Sequence, residues 1–120
     1  MYIPGRGDIV SMEYDVSPEY EREAAGEQSG RRMAIVISSR SFNRIARLAI
    51  VCPVTGTDNG FPTHVPLSGT DTRGIVLCEH IKSLYYAGRR VKRVETAPKE
   101  LVETIIAYIN AVLEDVPETE

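Results

Sequence analysis

Short apolar runs of strand type recur along the chain, separated by residues typical of turns. Their alternating or continuous apolar positions, rich in β-branched residues, favour half-buried or fully buried strands. Glycine, proline, asparagine and aspartate separate the runs, as at Asn59-Gly60. The pattern predicts strands at residues 7–13, 33–38, 48–54, 63–67, 75–81 and 90–94.

The end of the chain has the strongest helical pattern. Apolar residues recur there every three or four positions, on one face of a helix: Leu101, Val102, Ile105, Ile106, Ile109, Val112 and Leu113. Pro98 suits the first helical position, and Glu100 complements the partial positive charge of a helix N-terminus. One short helical turn is also expected at residues 41–46.

Many short strands with one terminal helix indicate a mainly β fold, either a small barrel or a sandwich. A chain of 120 residues suffices for one domain, which we expect to span residues 1–115, with a frayed C-terminal tail at residues 116–120. No stretch reaches the roughly 18 apolar residues of a membrane span, and the N-terminal residues lack a signal-peptide pattern. We therefore expect a cytoplasmic protein with no membrane partner.

The net charge of −3 conceals an uneven distribution. Acidic residues exceed basic ones by five in residues 1–30 and by five in residues 97–120, whereas basic residues exceed acidic ones by seven in residues 31–96. A basic central segment in an acidic protein can bind an anion without the general nucleic-acid affinity of a high-pI domain. The alternative is that the acidic and basic segments neutralise one another in the fold. Charge alone does not favour either alternative.

The two cysteines and two histidines offer little catalytic pattern of their own. Cys52 and Cys78 lie in apolar runs, where buried free thiols are expected rather than a disulfide or a zinc site. His64 lies inside a predicted strand, and His80 follows one. Because the sequence contains no cluster of His, Cys, Asp and Glu at ligand spacing, we expect neither a metal nor another cofactor.

Two polar segments adjoin the predicted strands. Residues 14–32 exceed the ~12–15 residues usual for a loop in a compact domain, so this segment is expected to carry function. Its end places a carboxylate, an amide and guanidinium groups directly before a buried strand. The second segment, residues 55–60, offers threonine hydroxyls and glycine amides that can bind an oxyanion.

In these segments and the strands beside them, the sequence resembles the MazF/PemK family of toxin endoribonucleases, the toxic halves of bacterial toxin–antitoxin pairs. The match spans nearly the whole chain, and its order and spacing make it specific. The matching pieces are YIP at 2–4, GDIV at 7–10, GEQSGRR at 26–32, AIVIS at 34–38, VCPVT at 51–55, GFP at 60–62 with HVPL at 64–67, GIVL at 74–77 and IKSL at 81–84.

The resemblance implies an SH3-like barrel of the CcdB/PemK type with a C-terminal helix. It also implies a homodimer, a cognate antitoxin as partner, and metal-independent cleavage of single-stranded RNA, in particular mRNA, at short sequences. The family's catalytic arginine and threonine fall on Arg32 and Thr55, and Glu27 occupies a position sometimes invoked in proton transfer. The planar donors of Arg32 match phosphate oxygens, but an arginine is a poor general base, so the base stays unassigned.

Further residues near these positions are candidates for RNA binding: Gln28, Arg31, Thr57, His80, Lys82, Arg89 and Arg90. The basic ones, with two tyrosines among them, can follow a single strand of RNA and stack on its bases. The alternatives are that Arg31 is a solvated charge and that the basic residues after position 81 blunt a strand edge against aggregation.

Two other functions remain open. Gyrase-poisoning toxins share the barrel implied by the resemblance, and they bind a protein target without cleaving RNA. A degenerate relative that only binds an antitoxin is also possible, because Ser11, Met33 and His80 depart from the family pattern. The presence of both Arg32 and Thr55 favours the endoribonuclease, since a pure binding protein has no reason to keep this pair.

Overall fold

The computed structural model describes residues 1–13 and 31–115. Seven strands and two helices follow one another in these ranges: β1 (Asp8–Glu13), β2 (Arg31–Val36), α1 (Arg40–Ala46), β3 (Leu48–Thr55), β4 (His64–Pro66), β5 (Ile75–Leu77), β6 (Lys82–Tyr85), β7 (Lys92–Thr96) and α2 (Lys99–Leu113). A 3-10 turn, Cys78–His80, separates β5 from β6. The expected mainly β fold with a C-terminal helix is confirmed.

All paired strands are antiparallel, and the order along the sheet is β4-β5-β3-β2-β1-β7. β6 lies off this path and pairs with the first half of β3, while β5 pairs with the end of β3. The sheet is not closed: within the part of the chain described, β4 and β7 end the path and do not pair with each other. The expected barrel is thus present as an open sheet. Along one side of β3, β6 pairs with the first half of the strand and β5 with its end.

Each face of the central strands packs into its own apolar cluster, as strand alternation requires. The face under α2 forms the helix cluster: Ile9, Ile35, Ile37, Cys52, Val65, Val76, Cys78, Ala97, Leu101, Val102, Ile105 and Ile109. The other face forms the sheet cluster: Val10, Met12, Ala34, Val36, Ala49, Val51 and Tyr86. The expected burial of both cysteines as free thiols is confirmed.

α2 covers the sheet with the apolar stripe expected from its sequence. Its four buried residues, Leu101, Val102, Ile105 and Ile109, stabilise the fold by about 1.5–3 kcal/mol each when fully buried. Pro98 is the N-cap residue, one position before the helix, so its expected place as the first helical residue is wrong by one. Within the described ranges, no helix is long and apolar enough to cross a membrane.

Several boundaries differ from the prediction. The strand expected at residues 33–38 is shifted to Arg31–Val36. The expected strand at residues 75–81 is wrong as a single element, because the chain turns through Cys78–His80 and begins a new strand that pairs with β3. The expected strand at 90–94 is shifted to Lys92–Thr96. The helical turn at 41–46 is confirmed as α1, where the Ser39 hydroxyl accepts a hydrogen bond from the backbone N–H of Phe42.

The buried carboxylate of Asp8 joins several elements at the start of β1. It accepts hydrogen bonds from the Tyr2 hydroxyl, the Gly5 backbone N–H at 3.0 Å and the Thr96 hydroxyl at 3.0 Å. Arg40 of α1 and Arg93 of β7 place guanidinium nitrogens 3.3 and 3.6 Å from its oxygens. Asp8 therefore fixes the N-terminal residues, β7 and α1 relative to one another.

Candidate functional site

Arg32 and Thr55 lie at the same end of two neighbouring strands. β2 and β3 run antiparallel, and their ladder ends at Met33 opposite Val54. Continuing this register by one residue sets Arg32 opposite Thr55. Directly opposite residues of antiparallel strands project to the same face, with Cβ atoms about 4.5–5.5 Å apart. The two candidate catalytic residues are therefore neighbours on one face of the sheet, and both belong to strands rather than loops.

The two adjacent arginines project to opposite faces of β2. Arg32 is paired with Met12, which is buried in the sheet cluster, so Arg32 projects to that side. Arg31 is paired with Glu13 and projects to the side of the helix cluster. Sequence adjacency therefore does not place both guanidinium groups at one site.

Arg31 is occupied by contacts within the chain. Its Nε donates to the Ser11 hydroxyl at 2.8 Å, and its Nη2 donates to the backbone carbonyls of Ser11 at 2.7 Å and Arg90 at 2.5 Å. The guanidinium thus joins β1 to the turn before β7. Arg31 is exposed and also makes these three hydrogen bonds within the chain, so its roles as a solvated charge and as an RNA contact both stay predictions.

Arg89 and Arg90 lie in that same turn, close to the end of β1. The backbone N–H of Glu13 donates to the Arg89 carbonyl at 2.8 Å, and the Glu13 carboxylate lies 3.7 Å from Arg90 Nη1. Arg90 adopts a positive φ of 52°, which an L-residue rarely does, and its side chain is exposed. The fold thereby gathers Arg31, Arg89 and Arg90 near the strand ends where Arg32 lies.

The loop after β3 is organised by hydrogen bonds from its own backbone. The Thr57 N–H donates to the Thr55 hydroxyl at 3.3 Å, and the Gly60 N–H donates to Asp58 Oδ1 at 2.8 Å. Thr55 is half-buried and Thr57 is exposed. This loop therefore carries two hydroxyls, and the hydrogen bond to Thr55 holds the backbone of Thr57 relative to the end of β3.

His64 joins this loop to the 3-10 turn. Its Nδ1 lies 3.0 Å from Asp58 Oδ1, and its Nε2 lies 2.8 Å from Glu79 Oε2, while its side chain is only 5% exposed. The Thr63 hydroxyl donates to the other oxygen of Glu79 at 2.5 Å. We call His64, Asp58 and Glu79 the histidine clasp.

The charges of the clasp support one another. Burial lowers the pKa of His64, but the hydrogen bonds and charges of Asp58 and Glu79 outweigh it, so the pKa lies above its usual value. The hydrogen bond from His64, with that from the Gly60 N–H, holds the pKa of Asp58 below its usual value. For Glu79, burial raises the pKa, but hydrogen bonds from Thr63, its own backbone N–H and His64 lower it overall.

The clasp is not arranged as a metal site. Its two carboxylates lie on opposite nitrogens of the ring, so the three side chains form a line and share no common point; the described residues hold no group of three such ligands around one point. Sequence reasoning named neither Asp58 nor Glu79 as a site residue. The feature that brings Glu79 close to His64 is the β4–β5 hairpin, in which His64 pairs with Leu77.

The remaining described candidates lie near the Arg32–Thr55 pair and the histidine clasp. His80 is exposed in the 3-10 turn, with its Nε2 3.6 Å from Glu79 Oε2, and Lys82 begins β6 opposite Val51. Glu27 and Gln28, assigned to proton transfer and RNA binding, lie outside the described residues. The structure thus brings Arg32 and Thr55 together and places the other described candidates along the adjoining turns.

The two cysteine thiols are not arranged for chemistry. Burial, followed by the nearby Cys78 and Glu79, raises the pKa of Cys52 to about 12, and burial with the Glu79 charge raises the pKa of Cys78 to about 11. A protonated buried thiol is a weak nucleophile. Arg32 and Thr55 offer instead a guanidinium and a hydroxyl on one sheet face, types of group that can bind phosphate oxygens.

Comparisons with known proteins identify relatives of this chain. The chain is 29% identical over 112 residues to the endoribonuclease toxin MazF of Escherichia coli K12, covering 93% of this chain and 96% of that protein. It is 30% identical over 113 residues to the endoribonuclease PemK of Escherichia coli, covering 90% of this chain and 80% of PemK.

A solved structure has the same fold. The crystal structure of MazE–MazF from Deinococcus radiodurans superposes with a TM-score of 0.79 and 28% identity, covering 93% of this chain and 97% of the matched chain. The family model for the PemK-like, MazF-like toxin of type II toxin–antitoxin systems matches residues 5–113. This chain belongs to that family.

Proposed function

We propose that this protein is the toxin of a toxin–antitoxin pair and acts as an endoribonuclease on single-stranded RNA, with mRNA as its substrate. The proposal rests on the register of β2 and β3, which pairs Met33 with Val54 and, continued by one residue, sets Arg32 opposite Thr55, in a chain whose family match runs from residue 5 to residue 113. A guanidinium and a hydroxyl at this spacing can hold two oxygens of the same phosphate.

The reaction uses the substrate's own 2′-hydroxyl as nucleophile. The 2′ oxygen forms a bond to the adjacent phosphorus as it loses its proton, and the bond from phosphorus to the 5′ oxygen of the next nucleotide breaks. That leaving oxygen takes up a proton, so the products are a 2′,3′-cyclic phosphate and a 5′-hydroxyl. No water, metal or cofactor enters these steps, and DNA is not a substrate because it lacks the nucleophile.

In this scheme, Arg32 stabilises the negative charge that develops on the non-bridging oxygens and assists the departing 5′ oxygen. Thr55 donates a weaker, neutral hydrogen bond to the same phosphate. Glu27 is proposed for proton transfer. Thr57 and His80, with Gln28, Arg31, Lys82, Arg89 and Arg90, are proposed to bind the flanking nucleotides, where charge and stacking are sequence-tolerant.

The same proposal includes the partners. Residues 1–115 act as one domain, a homodimer forms, and a cognate antitoxin protein binds the toxin in the cytoplasm. The family description and the crystallisation of the relative as MazE–MazF support the antitoxin. The exposed apolar residues at the end of α2 support the dimer.

The test is cleavage of a long RNA by purified protein, with the cut ends mapped and their chemistry identified. An oligonucleotide with 2′-deoxyribose on the 5′ side of the cut should still bind and should not be cleaved, because the nucleophile is missing. Activity should persist in excess chelator. Cleavage of the deoxy substrate, or activity that is abolished by chelator and restored by magnesium, would overturn the proposal.

A further inference from the structure

His64 begins β4, and the proposed reaction does not use it. Its imidazole is almost fully buried, yet both ring nitrogens lie within hydrogen-bond distance of carboxylate oxygens on two different segments. One carboxylate belongs to the loop after β3 and the other to the 3-10 turn before β6. A buried histidine held from both sides by charge requires a reason beyond packing.

We propose that His64 is a positioning residue for RNA cleavage: as an imidazolium it ties the loop after β3 to the 3-10 turn and thereby holds the hydroxyls of Thr55 and Thr57 in place. The consequence for cleavage rests on the proposed function. The tie itself does not depend on it.

The geometry fits the imidazolium. A neutral imidazole donates from one nitrogen only and would turn the lone pair of the other toward a carboxylate oxygen. The imidazolium donates from both nitrogens, to Asp58 Oδ1 at 3.0 Å and to Glu79 Oε2 at 2.8 Å. Loss of one proton therefore breaks one side of the tie.

The connection from His64 to the proposed site is short. Asp58 Oδ1, which receives the His64 hydrogen bond, also receives the Gly60 N–H and so fixes the end of the loop. Asp58 directly follows Thr57, whose N–H donates to the Thr55 hydroxyl. His64 is also paired with Leu77 on the face opposite Val65 and Val76, which is the face that carries Thr55.

Other groups around His64 leave this charge balance intact. His80 approaches the same Glu79 oxygen from the 3-10 turn at 3.6 Å, and the ring of Phe61 lies 5.6 Å from the His64 ring at a tilt of 47°. The thiols of Cys52 and Cys78, near Glu79, have pKa values raised to about 12 and about 11, so they carry no charge at neutral pH.

The clasp operates within a window of pH. Because the pKa of His64 is raised in the folded protein, its contribution is complete below the ordinary histidine value and disappears as pH rises through the raised one. Because the pKa values of Asp58 and Glu79 are lowered, their contribution disappears as pH falls through those lowered values. The loop is thus held between these two limits.

The tie is tested directly by nuclear magnetic resonance. With ¹⁵N-labelled protein, both ring nitrogens of His64 should be protonated near neutral pH, the His80→Gln variant serving to assign the two histidines. The amide signals of Thr57 and Gly60 should move with the His64 titration. The amide of Thr72, which donates to a Glu95 carboxylate oxygen at 2.6 Å in a separate turn, is the matched control and should not follow it.

The consequence for cleavage is tested with Asp58→Asn, which removes a partly exposed charge without altering the buried ring. It should lower the pKa of His64, so the loss of kcat at high pH should begin at lower pH than in the parent. In the interval between the two pKa values, kcat should fall about tenfold with a smaller change in KM. At pH values below both His64 pKa values, the kcat of Asp58→Asn should approach that of the parent.

Asp71→Asn is the matched control, because it removes an equal charge from an exposed turn outside the site. It should leave the pH profile of the parent unchanged. If Asp58→Asn and Asp71→Asn give the same profile, or if the Thr57 and Gly60 amides do not follow His64, the inference is wrong. Absence of RNA cleavage by the parent would refute the proposed function, and the resonance titration would still decide whether His64 ties the loop.

Discussion

At the scale of single residues, the adjacent arginines of β2 have different surroundings despite their identical side chains. Arg31 projects toward Ser11 and the Arg90 carbonyl, and its hydrogen bonds hold the protein together. Arg32 projects to the face that carries Thr55. The alternation of a strand therefore directs the two guanidinium groups to opposite faces of the sheet, a distinction that the dipeptide alone does not make.

Replacing Arg32 with alanine should reduce the single-turnover cleavage rate by at least about 100-fold, because the phosphate loses its charged donor. The fold should survive, since Arg32 is half-buried at a strand end and its loss opens no core cavity. Arg44→Ala removes the same charge from an exposed position of α1 and should cut RNA as the parent does. An Arg32→Ala protein as fast as the Arg44→Ala control would remove Arg32 from the mechanism.

The Thr55 hydroxyl should contribute less than the arginine. Thr55→Val keeps the shape of the side chain and removes the hydroxyl, so the rate should fall by roughly tenfold, in line with about 1 kcal/mol for a neutral hydrogen bond. Thr55→Ser should restore most of the rate, because it returns the hydroxyl that also accepts the Thr57 N–H. Equal rates for the valine and serine variants would show that the hydroxyl is not used.

At the scale of elements, the strands and the final helix follow from local sequence, whereas their partners do not. The stripe of α2 and the apolar run of β3 are visible from spacing and composition alone. The break between β5 and β6 has no glycine or proline to mark it. Glu79 and His80 are polar, but apolar residues stand on both sides of them at Cys78 and Ile81, and only the pairing of Lys82–Tyr85 with β3 shows that a new strand begins. Long-range pairing overrides the local pattern here.

For the candidate site too, the residues were predictable from the sequence, whereas their contacts were not. The resemblance located Arg32 and Thr55, but their adjacency depends on the β2–β3 register. The histidine clasp was not predictable from local sequence, because it joins positions 58, 64 and 79 through a hairpin whose register no short motif specifies. A strand position for His64 was expected and is confirmed, yet its two carboxylate partners come from outside that strand.

The Asp8 carboxylate should be the most sensitive polar contact between elements. Asp8→Ala leaves donors from Tyr2, Gly5 and Thr96 without their acceptor, so the free energy of unfolding should fall by about 2–3 kcal/mol. The cost stays below that of a fully buried ion pair because Arg40 and Arg93 are half exposed and can turn to water.

Urea denaturation followed by circular dichroism measures this loss. Asp71→Ala, at an exposed position, should change the free energy of unfolding by no more than about 0.5 kcal/mol. Similar midpoints for Asp8→Ala and Asp71→Ala would show that the Asp8 carboxylate does not stabilise the junction of the N-terminal residues, β7 and α1.

At the scale of the whole molecule, the structure shows where the basic residues of the central segment lie. Three of its basic residues, Arg31, Arg89 and Arg90, gather near the strand end that carries Arg32. Some of that charge is neutralised internally, since Glu13 lies beside Arg90 and Asp8 beside Arg40 and Arg93. Internal neutralisation is thus present at these positions, whereas anion binding by the arginines near Arg32 stays a prediction.

The end of α2 suggests how two copies associate. Tyr108, Val112 and Leu113 are 38%, 50% and 77% exposed, although Val112 and Leu113 continue the stripe that the first turns bury against the sheet. Apolar residues left uncovered at the end of such a stripe are typical of an interface. We therefore expect a homodimer at micromolar concentration, with this helix end in its contact surface.

Sedimentation of the parent should give twice the 13.3 kDa mass of one chain. A Val112→Glu/Leu113→Glu double variant should shift the mass toward one chain, because two carboxylates cannot be buried unpaired in an apolar interface. Ala107→Glu places a carboxylate on the opposite, exposed face of the same helix and should remain a dimer. A parent that is monomeric at this concentration would contradict the dimer, and a double variant that stays dimeric would locate the interface elsewhere on the molecule.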